Sequence, residues 1–445
     1  MKFKFIHTIK YSYFWFSLLL FIGSTTFDRS FVGLNLFGYR LGELIVGGFA
    51  IVSILLLFLN KKIIKDFGLD IFNFEIYILK IIIFSFFISI YFFNTSLFST
   101  YPFKSSSYIW FLTSIFVIYS CKDIFENYEK YIKIFAIGYL FMPFAHYFFL
   151  TGYYPDFIMY FFIENSDKFN YTKGSDIMLT LLMANLLFIQ TQKNIKLPLV
   201  YFSISVPLLL PLLLEMSRGS FIAAVIFFVF VIFNNFSFFL RNKIFFTTIL
   251  IISSVIFTIS TLRISGVDLY QDSYFEINIS DNIQKIAKKE DTRKAFFSFY
   301  IENGRVLSLD NTTNWRLDIW QDVIDDLKLK NQLLVGYGYS EIIPVMLDPT
   351  APGRLGRDGL NEHVHSYVFN IVARGGLLQL LLIALFHFRL VYIWFKKNND
   401  LSLLIFILPV VFNSLTDMNM EGVQFPFMYF YFLGYMFLSH KKNKT

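Results

Sequence analysis

The chain has 445 residues, of which 56% are hydrophobic and only 16% are charged, and its mean hydropathy is +0.56. A soluble protein of this size lacks the interior to bury so much apolar surface, which excludes a soluble enzyme and a nucleic-acid-binding module. The formal net charge of +7 indicates instead the positively charged cytoplasmic loops of a membrane protein. The single cysteine, Cys121, excludes an internal disulfide and a cysteine-based metal cluster.

Twelve apolar stretches, separated by charged residues, Pro and Asn, predict membrane-spanning helices. The predicted fold is an all-α polytopic membrane protein with about 12 transmembrane helices and one large loop that carries short helices. In chain order, the stretches cover residues 11–27, 41–59, 76–93, 108–120, 131–151, 176–191, 197–214, 220–234, 244–262, 365–394, 401–413 and 423–439.

The distribution of Lys and Arg predicts the orientation of the chain. If the N-terminus is cytoplasmic and the spans alternate, 18 Lys and Arg residues lie on inside segments and 6 on the short outside loops. Because positively charged loops resist translocation, we expect both termini in the cytoplasm of a Gram-negative cell and the chain in its inner membrane. The chain then divides into residues 1–262 with helices one to nine, a periplasmic loop at 263–364, and residues 365–445 with helices ten to twelve and a cytoplasmic tail.

The periplasmic loop holds 16 of the 32 Asp and Glu residues, and it contains two predicted helical segments. Residues 281–294 are strongly charged, which predicts a solvated helix. In 315–329, apolar residues recur at three- and four-residue steps, which predicts an amphipathic helix along the outer membrane surface or over a cavity. Its expected N-cap is Thr313 or Asn314, and a turn at 336–338 follows it.

The first candidate functional residue is Arg218, in a short outside turn between two apolar helices. A cation so close to the hydrocarbon boundary is unfavourable unless it has a counter-charge or an anionic ligand. Arg218 therefore either pairs with Glu215, three residues earlier, or holds a phosphate. Glu215 is kept as a secondary candidate.

Arg316 is the second candidate, at the start of the amphipathic helix. A guanidinium offers a planar fork of donors that suits phosphate oxygens, and a helix N-terminus adds further donors for an anion. The alternative is a local ion pair with Asp318. Arg305, eleven residues earlier, is a rival for the same phosphate-binding role.

The third candidate is His365, which with His363 stands at the mouth of the tenth span. An imidazole at this position is able to accept a proton from a hydroxyl near neutral pH. One alternative is a histidine that caps the helix or bonds a carbonyl. A metal site of both histidines with Glu362 is another, but a spacing of two without a further ligand cluster is weak evidence. No metal is therefore predicted, and His363 and Ser366 are secondary candidates.

The three main candidates fall on the same side of the membrane. Two cations and one base suit transfer of a sugar from a lipid diphosphate, because neutralising the diphosphate lowers the barrier to its departure while the base deprotonates an acceptor hydroxyl. The polar residues at the outside end of the last hairpin are predicted to be solvated, with sugar contact as the alternative: Asn413, Asp417, Asn419 and Glu421.

These motifs resemble the O-antigen ligase-like family of membrane proteins. The family's ligase signature is His followed by Asn, Ser or Gln, nine residues, and Gly-x-x-Gly, Thr or Tyr. Here His365-Ser366 is followed by nine residues and then by Gly376, and the chain departs from the pattern only at Gln379. The other similar motifs are Ser217-Arg218-Gly219 ahead of the large loop, Trp315-Arg316 to Trp320, Leu333-Leu334-Val335-Gly336-Tyr337-Gly338 and His363-Val364-His365-Ser366.

The resemblance implies a metal-independent glycosyltransferase of the GT-C type that needs no cofactor and uses an undecaprenyl-diphosphate-linked glycan as donor. Arg218 and Arg316 would bind the diphosphate, and His365 would act on the acceptor. A ligase transfers the glycan to lipid A-core, a polymerase transfers it to another lipid-linked repeat, and protein O-glycosyltransferases of the same family use Ser or Thr in pilin. We favour the ligase over the O-antigen or capsule polymerase.

A polysaccharide flippase or exporter is an alternative from another class, because twelve spans suit it equally well. The long outside loop, the lack of a visible repeat and the scarcity of ionisable residues at mid-span argue against it. A structural scaffold would not require Arg218, Arg316 and His365 to lie on one side of the membrane.

Overall fold

The computed structural model of the chain describes residues 2–96, 100–168, 172–192, 194–266, 298–339, 342–355 and 362–439. The charged helix predicted at 281–294 lies outside these residues. Helix makes up 78% of the structure. Before the large loop, the helices and the one hairpin of the described part are α1 (Lys2–Val32), β1 (Asn35–Leu36), β2 (Tyr39–Arg40), α2 (Leu41–Leu57), α3 (Lys61–Asp66), α4 (Asn73–Phe92), α5 (Thr100–Ser105), α6 (Ser107–Phe111), α7 (Thr113–Ser120), α8 (Lys122–Asn127), α9 (Glu129–Tyr139), α10 (Met142–Leu150), α11 (Asp156–Asn165), α12 (Gly174–Thr191), α13 (Lys196–Met216), α14 (Arg218–Asn234), α15 (Phe236–Arg241) and α16 (Lys243–Ile264).

The remainder of the described chain begins with an antiparallel hairpin in the loop and ends with three long helices. One-turn 3₁₀ helices lie at Asp70–Phe72, Pro344–Leu347, Pro352–Leu355 and Asn419–Glu421. The strands and α-helices are β3 (Phe299–Glu302), β4 (Arg305–Ser308), α17 (Asn311–Leu329), α18 (Tyr367–Asn398), α19 (Ser402–Thr416) and α20 (Gln424–Ser439).

Among the described residues, six helical segments are long and apolar enough to cross a membrane: Asp70–Phe92, Glu129–Leu150, Gly174–Thr191, Lys196–Met216, Lys243–Ile264 and Tyr367–Asn398. Four more apolar helical segments are shorter: Leu41–Leu57, Ser107–Ser120, Arg218–Asn234 and Ser402–Thr416. The chain is therefore an all-α membrane protein, as predicted. The number of twelve spans stays a prediction, because several apolar stretches form helices too short to qualify by length alone.

Helix α20 forms the centre of the bundle. It packs against α1, α6, α7 and α12, and all its residues except Tyr435 and Ser439 are buried. A helix that is apolar on every face is stable only when other helices surround it. Gly434 permits the closest of these contacts, because a side chain there would lie about 3 Å from the backbone of Ile115 in α7.

Helix α18 is interrupted at Gly376, whose φ of +70° is outside the helical range. The interruption exposes backbone groups that the helix would otherwise pair, and the segment 333–338 of the large loop satisfies them. The four hydrogen bonds run from Tyr337 N to Ala373 O (2.6 Å), Gly338 N to Arg374 O (3.0 Å), Leu377 N to Leu333 O (2.9 Å) and Leu378 N to Leu334 O (3.2 Å). The loop is thereby attached to the membrane helix that follows it.

The predicted amphipathic helix of the loop is confirmed as α17. It begins at Asn311, and its N-cap is Asp310, whose carboxylate accepts from Thr313 N at 2.8 Å. The prediction of Thr313 or Asn314 as N-cap was therefore wrong, because Asp310 leaves the preceding β-hairpin already placed to accept that bond. The apolar face of α17 packs against α18 and forms a second, smaller core with Tyr337 and Met346.

Candidate functional site

Arg218, Arg316 and His365 meet at one end of the bundle, which we call the site end. It is formed by the N-termini of α14 and α18, the first turns of α17 and the C-terminus of α19. Backbone contacts hold these elements together, including a hydrogen bond from Tyr367 N to Asp417 O at 3.1 Å. The sequence placed the three residues on one side of the membrane, and the tertiary structure brings them into neighbouring positions.

Arg218 is the first residue of α14, and its Nη1 lies 3.0 Å from Oδ2 of Asp310. Asp310 is buried and caps α17. Burial raises the pKa of Asp310, but hydrogen bonds from Thr313 and Arg218 outweigh that effect and hold the pKa below its ordinary value. The counter-charge of Arg218 thus comes from 92 residues further along the chain, whereas Glu215, its predicted local alternative, is exposed.

The glycine after Arg218 explains how α14 approaches α19. A side chain at Gly219 would overlap the hydroxyl of Thr416, so only glycine allows this contact. Thr416 is the last residue of α19, and its carbonyl oxygen accepts from Nη1 of Arg316 at 2.5 Å. The Ser217-Arg218-Gly219 motif therefore places Arg218 beside the helix end that holds Arg316.

Arg316 is half-buried, and its Nε is buried without a hydrogen-bond partner among the described residues. Burial lowers the pKa of the guanidinium, while the carboxylates of Asp417 and Asp310 raise it. An arginine retains its charge despite such a shift. Arg316 is thus a partly desolvated cation with an unused donor, which an anionic oxygen would satisfy.

His365 precedes the N-cap of α18 and adopts a φ of +55°. Non-glycine residues rarely occupy this conformation, and those that do are frequent at active sites. The imidazole ring lies 4.9 Å from the ring of Trp315. Burial lowers the pKa of His365 to about 4, and the positive charge of Arg316 adds to this effect. His365 is therefore neutral at pH 7 and able to accept a proton.

The two secondary candidates next to His365 have structural contacts. Nδ1 of His363 lies 2.5 Å from Oε2 of Glu421, so this side chain is directed to the last hairpin. Ser366 is the buried N-cap of α18 and accepts from Phe369 N at 3.5 Å. Within the described residues, no group of three or more His, Cys, Asp and Glu side chains is arranged to hold a metal ion, so the metal alternative gains no support.

The prediction of a solvated outside end for the last hairpin was wrong for three of its four residues. Asn413, Asn419 and Glu421 are buried, because α20 and its neighbours enclose the turn that precedes it. Asn419 donates to Asn413 Oδ1 at 2.6 Å, and Asn413 in turn donates to the hydroxyl of Ser220 in α14 at 3.0 Å. This network fixes the C-terminus of α19 that Arg316 contacts.

Arg305 is not brought together with the other candidates. Its Nη2 lies 2.9 Å from Oδ1 of Asp318 and 2.7 Å from Oδ1 of Asp322, and the buried Arg354 contacts the same two carboxylates. This network joins the β3–β4 hairpin to α17 and to the segment near Arg354. Because Asp318 belongs to this network, it is not the local ion-pair partner that was the alternative role for Arg316.

Lys173 and Arg374 were not singled out from the sequence as members of the site, and Asp417 was predicted only as a solvated hairpin residue with sugar contact as the alternative. Lys173 and Asp417 both interact electrostatically with His365, and Lys173 Nζ lies 3.9 Å from Asp417 Oδ1. Arg374 is buried in α18, where its Nη2 donates to the hydroxyl of Tyr101 at 2.9 Å. An arginine within a predicted span is itself a signal for a polar site, and it would have identified Arg374.

Gln379, the one departure from the ligase signature, lies inside the helix bundle. Its Nε2 donates to the hydroxyl of Tyr339 at 2.6 Å, and its Oε1 accepts from the hydroxyl of Tyr108 at 3.3 Å. Gly375 faces it, since a side chain there would overlap that of Gln379. The ring of Tyr108, whose hydroxyl bonds Gln379, lies 5.1 Å from the ring of Tyr367, which is two residues after His365. The departure therefore lies in a buried polar contact inside the bundle, which Tyr108 connects to the first turn of α18.

Residues 203–384 match the family model described as O-antigen ligase. This segment is similar to an O-antigen ligase domain. The match begins in α13, covers Arg218, Arg316 and His365, and ends in α18, which confirms the resemblance drawn from the motifs. A search of curated proteins finds no match. The match supports an enzyme of the ligase and polymerase type in surface polysaccharide assembly, a type that acts on lipid-linked polysaccharides.

Proposed function

We propose that the protein is an O-antigen ligase that transfers a glycan from undecaprenyl diphosphate to a hydroxyl of lipid A-core. The observation that carries the proposal is the pairing of a partly buried guanidinium that has an unused Nε, Arg316, with a neutral imidazole, His365. The guanidinium of Arg316 is suited to stabilise an anionic leaving group, and the imidazole of His365 is suited to accept the proton of an acceptor hydroxyl. Both belong to the segment that matches the family.

The diphosphate of the donor would bind Arg316 and Arg218. Arg316 offers Nε in addition to the donor that it gives to Thr416, and Arg218 lies at the N-terminus of α14, where backbone N–H groups attract an anion. Positive charge at this position stabilises the negative charge that develops on the diphosphate as its bond to the sugar breaks. Arg305 has a weaker claim to this role, because two carboxylates bind it.

His365 would act as the general base. The oxygen of the acceptor forms a bond to C1 of the sugar while the bond from C1 to the diphosphate oxygen breaks, and the proton of the acceptor passes to the imidazole. The diphosphate leaves with the electron pair. The negative charge of the bound donor would offset Arg316 and Lys173, so the pKa of His365 would rise when donor is present. No metal ion or cofactor is required by this scheme.

The proposed topology has twelve spans in the inner membrane, both termini in the cytoplasm and the large loop in the periplasm. The excess of Lys and Arg on the inside segments supports it. The meeting of Arg218, Arg316 and His365 at one end of the bundle agrees with a reaction at the outer leaflet, where a lipid-linked glycan and its acceptor are both accessible.

A repeat-unit polymerase is the second candidate. Gln379 favours it, because the ligase signature has Gly, Thr or Tyr at that position. The burial of Gln379 between Tyr108 and Tyr339 weakens the objection to a ligase, since this side chain has a packing role inside the helix bundle. We therefore retain the ligase as the first proposal.

A His365→Ala allele at the native locus tests the proposal, with surface glycan and lipid-linked intermediates resolved on gels. Loss of a general base is expected to lower the rate by about 10²- to 10⁴-fold. Long glycan on undecaprenyl diphosphate with bare lipid A-core supports a ligase, and core that carries a single repeat supports a polymerase. Wild-type amounts of both contradict a catalytic role for His365. Lys61→Gln, an exposed change in α3, is the control for expression.

A further inference from the structure

A second group of cations lies near the site end, apart from the two arginines assigned to the donor. We call it the basic cluster, and it comprises Arg29, Arg40, Lys104 and Lys168. These residues come from the last turn of α1, strand β2, helix α5 and the segment after α11. No role in the proposed reaction has yet been given to them.

The backbone around the basic cluster is held in a defined arrangement. Leu34 and Ser166 form an isolated antiparallel bridge, which joins the segment after α1 to the end of α11. Gly33 contributes to the same contact, because a side chain there would approach Lys168 Cβ to 2.9 Å. Arg40 Nη2 lies 2.5 Å from Asp167 Oδ2. The cations are therefore brought together by tertiary contacts and not by a flexible tail.

The basic cluster brings the positive charges of Arg29, Arg40 and Lys104 close to Lys168, which is partly desolvated. Burial is the main cause that lowers the pKa of Lys168 to about 8, and the positive charges of Arg29, Arg40 and Lys104 add to it, while the carboxylate of Asp167 opposes. Mutual repulsion of this kind is unfavourable in the unliganded protein. A bound anion would relieve it, and perturbed pKa values of this kind are frequent at functional sites.

The hairpin beside the cluster presents an apolar tip. Phe37 is 97% exposed, and its neighbours Leu36 and Tyr39 are also exposed. The turn is tight, with Gly38 at a φ of +84°. An aromatic tip next to cations is typical of a surface at the membrane interface, where the ring enters the lipid and the charges face the headgroups. This second observation favours an anion that is part of a lipid over a soluble one.

The basic cluster also contacts the segment that carries His365. Lys104 Nζ lies 3.4 Å from Oε2 of Glu362, and Glu362 is three residues before His365 in the chain. The arginines assigned to the donor diphosphate approach His365 from α14 and α17 instead. A ligand on the basic cluster would thus lie beside the segment that leads to His365.

We propose that the basic cluster binds the phosphate of a phosphorylated lipid, and that this lipid is the acceptor of the glycan. The phosphate would contact Arg40, Lys168 and their neighbours, while Phe37 enters the acyl region. The assignment of the lipid as acceptor rests on the proposed function, whereas the binding of a lipid phosphate does not. Both the ligase and the polymerase acceptor are lipids with phosphate groups, so the proposal holds for either.

Binding of short-chain lipids to the purified full-length protein in detergent tests the proposal. The probe is fluorescent dioctanoyl phosphatidic acid, and the competitors are unlabelled dioctanoyl phosphatidic acid, dioctanoyl phosphatidylcholine and inorganic phosphate. We expect the Arg40→Gln/Lys168→Gln double variant to bind the probe about tenfold more weakly, because charge-assisted contacts to the phosphate are lost. The matched control is Lys61→Gln/Lys62→Gln, which removes two exposed charges from α3 and should leave binding unchanged.

Lys168→Arg keeps the charge and should retain binding within about twofold, which protects the test against misfolding of the double variant. Unchanged binding by the double variant overturns the proposal. Inorganic phosphate that competes as well as phosphatidic acid also overturns it, in favour of a site for free phosphate. His365→Ala should bind the probe normally. Normal transfer activity of His365→Ala would contradict the proposed function but would leave the proposal of a lipid site unaffected.

Discussion

Replacing Arg316 by lysine is expected to leave the enzyme strongly impaired, although the charge is kept. The guanidinium uses Nη1 for the carbonyl oxygen of Thr416 at 2.5 Å and has Nε unused. A single ammonium group is not able to hold the end of α19 and the diphosphate in the same geometry. Loss of one charge-assisted hydrogen bond is worth about 1.5–3 kcal/mol, which corresponds to a decrease in kcat/KM of about 10- to 150-fold.

The assay is transfer of glycan from purified undecaprenyl-diphosphate donor, with kcat and KM measured separately for the donor. Arg305→Lys is the matched control in the same loop. Its partners are the carboxylates of Asp318 and Asp322, so a point charge should preserve most of the interaction and leave kcat/KM within about threefold of wild type. Wild-type kcat/KM for Arg316→Lys, or equal losses in both variants, would refute the assignment of Arg316 to the diphosphate.

Three further predictions concern pH, metal ions and packing. Because the pKa of His365 is lowered to about 4, the base is active above that pH, and kcat/KM should fall only as the pH drops through that value. The acid limb of the kcat profile should lie at higher pH than that of kcat/KM, because bound donor raises the pKa of His365. An acid limb of kcat/KM at the ordinary pKa of histidine would contradict the lowered pKa of His365. Transfer by the purified enzyme should survive EDTA, and loss that a divalent ion restores would revive a metal site. Gly219→Ala should destabilise the protein by about 1–3 kcal/mol through overlap with Thr416, as measured by thermal unfolding in detergent, while Gly47→Ala, which has open space around it, should not.

The sequence predicted the fold class correctly because that prediction depends on composition and short-range periodicity. Apolar stretches predicted helices, and the three- and four-residue spacing in 315–329 predicted the loop helix that α17 confirms. The N-cap prediction failed by a few residues, because Asp310 and Thr313 are both suitable caps by residue type. Only the direction of the chain leaving β4 selects Asp310.

The candidate site was predicted as a set of residue types and not as a set of contacts. Arg305 and Arg316 both suit phosphate by residue type, with Arg305 the weaker candidate, but the folded loop pairs Arg305 with carboxylates of α17 and directs Arg316 to the end of α19. The polar residues of the last hairpin looked solvated because no local pattern reveals that α20 is enclosed on every side. Their burial follows from the packing of helices that are remote in sequence.

The sequence by itself therefore determined that this is a helical membrane protein, and it predicted which side chains would hold a diphosphate and accept a proton. Hydropathy and helical periodicity are local properties, so they can be read along the chain. The partner of Arg218, the neutral state of His365 and the burial of Gln379 were decided only by the tertiary structure. Each depends on charges, helix ends or ring faces that come from distant parts of the chain and come into contact only when the helix bundle folds.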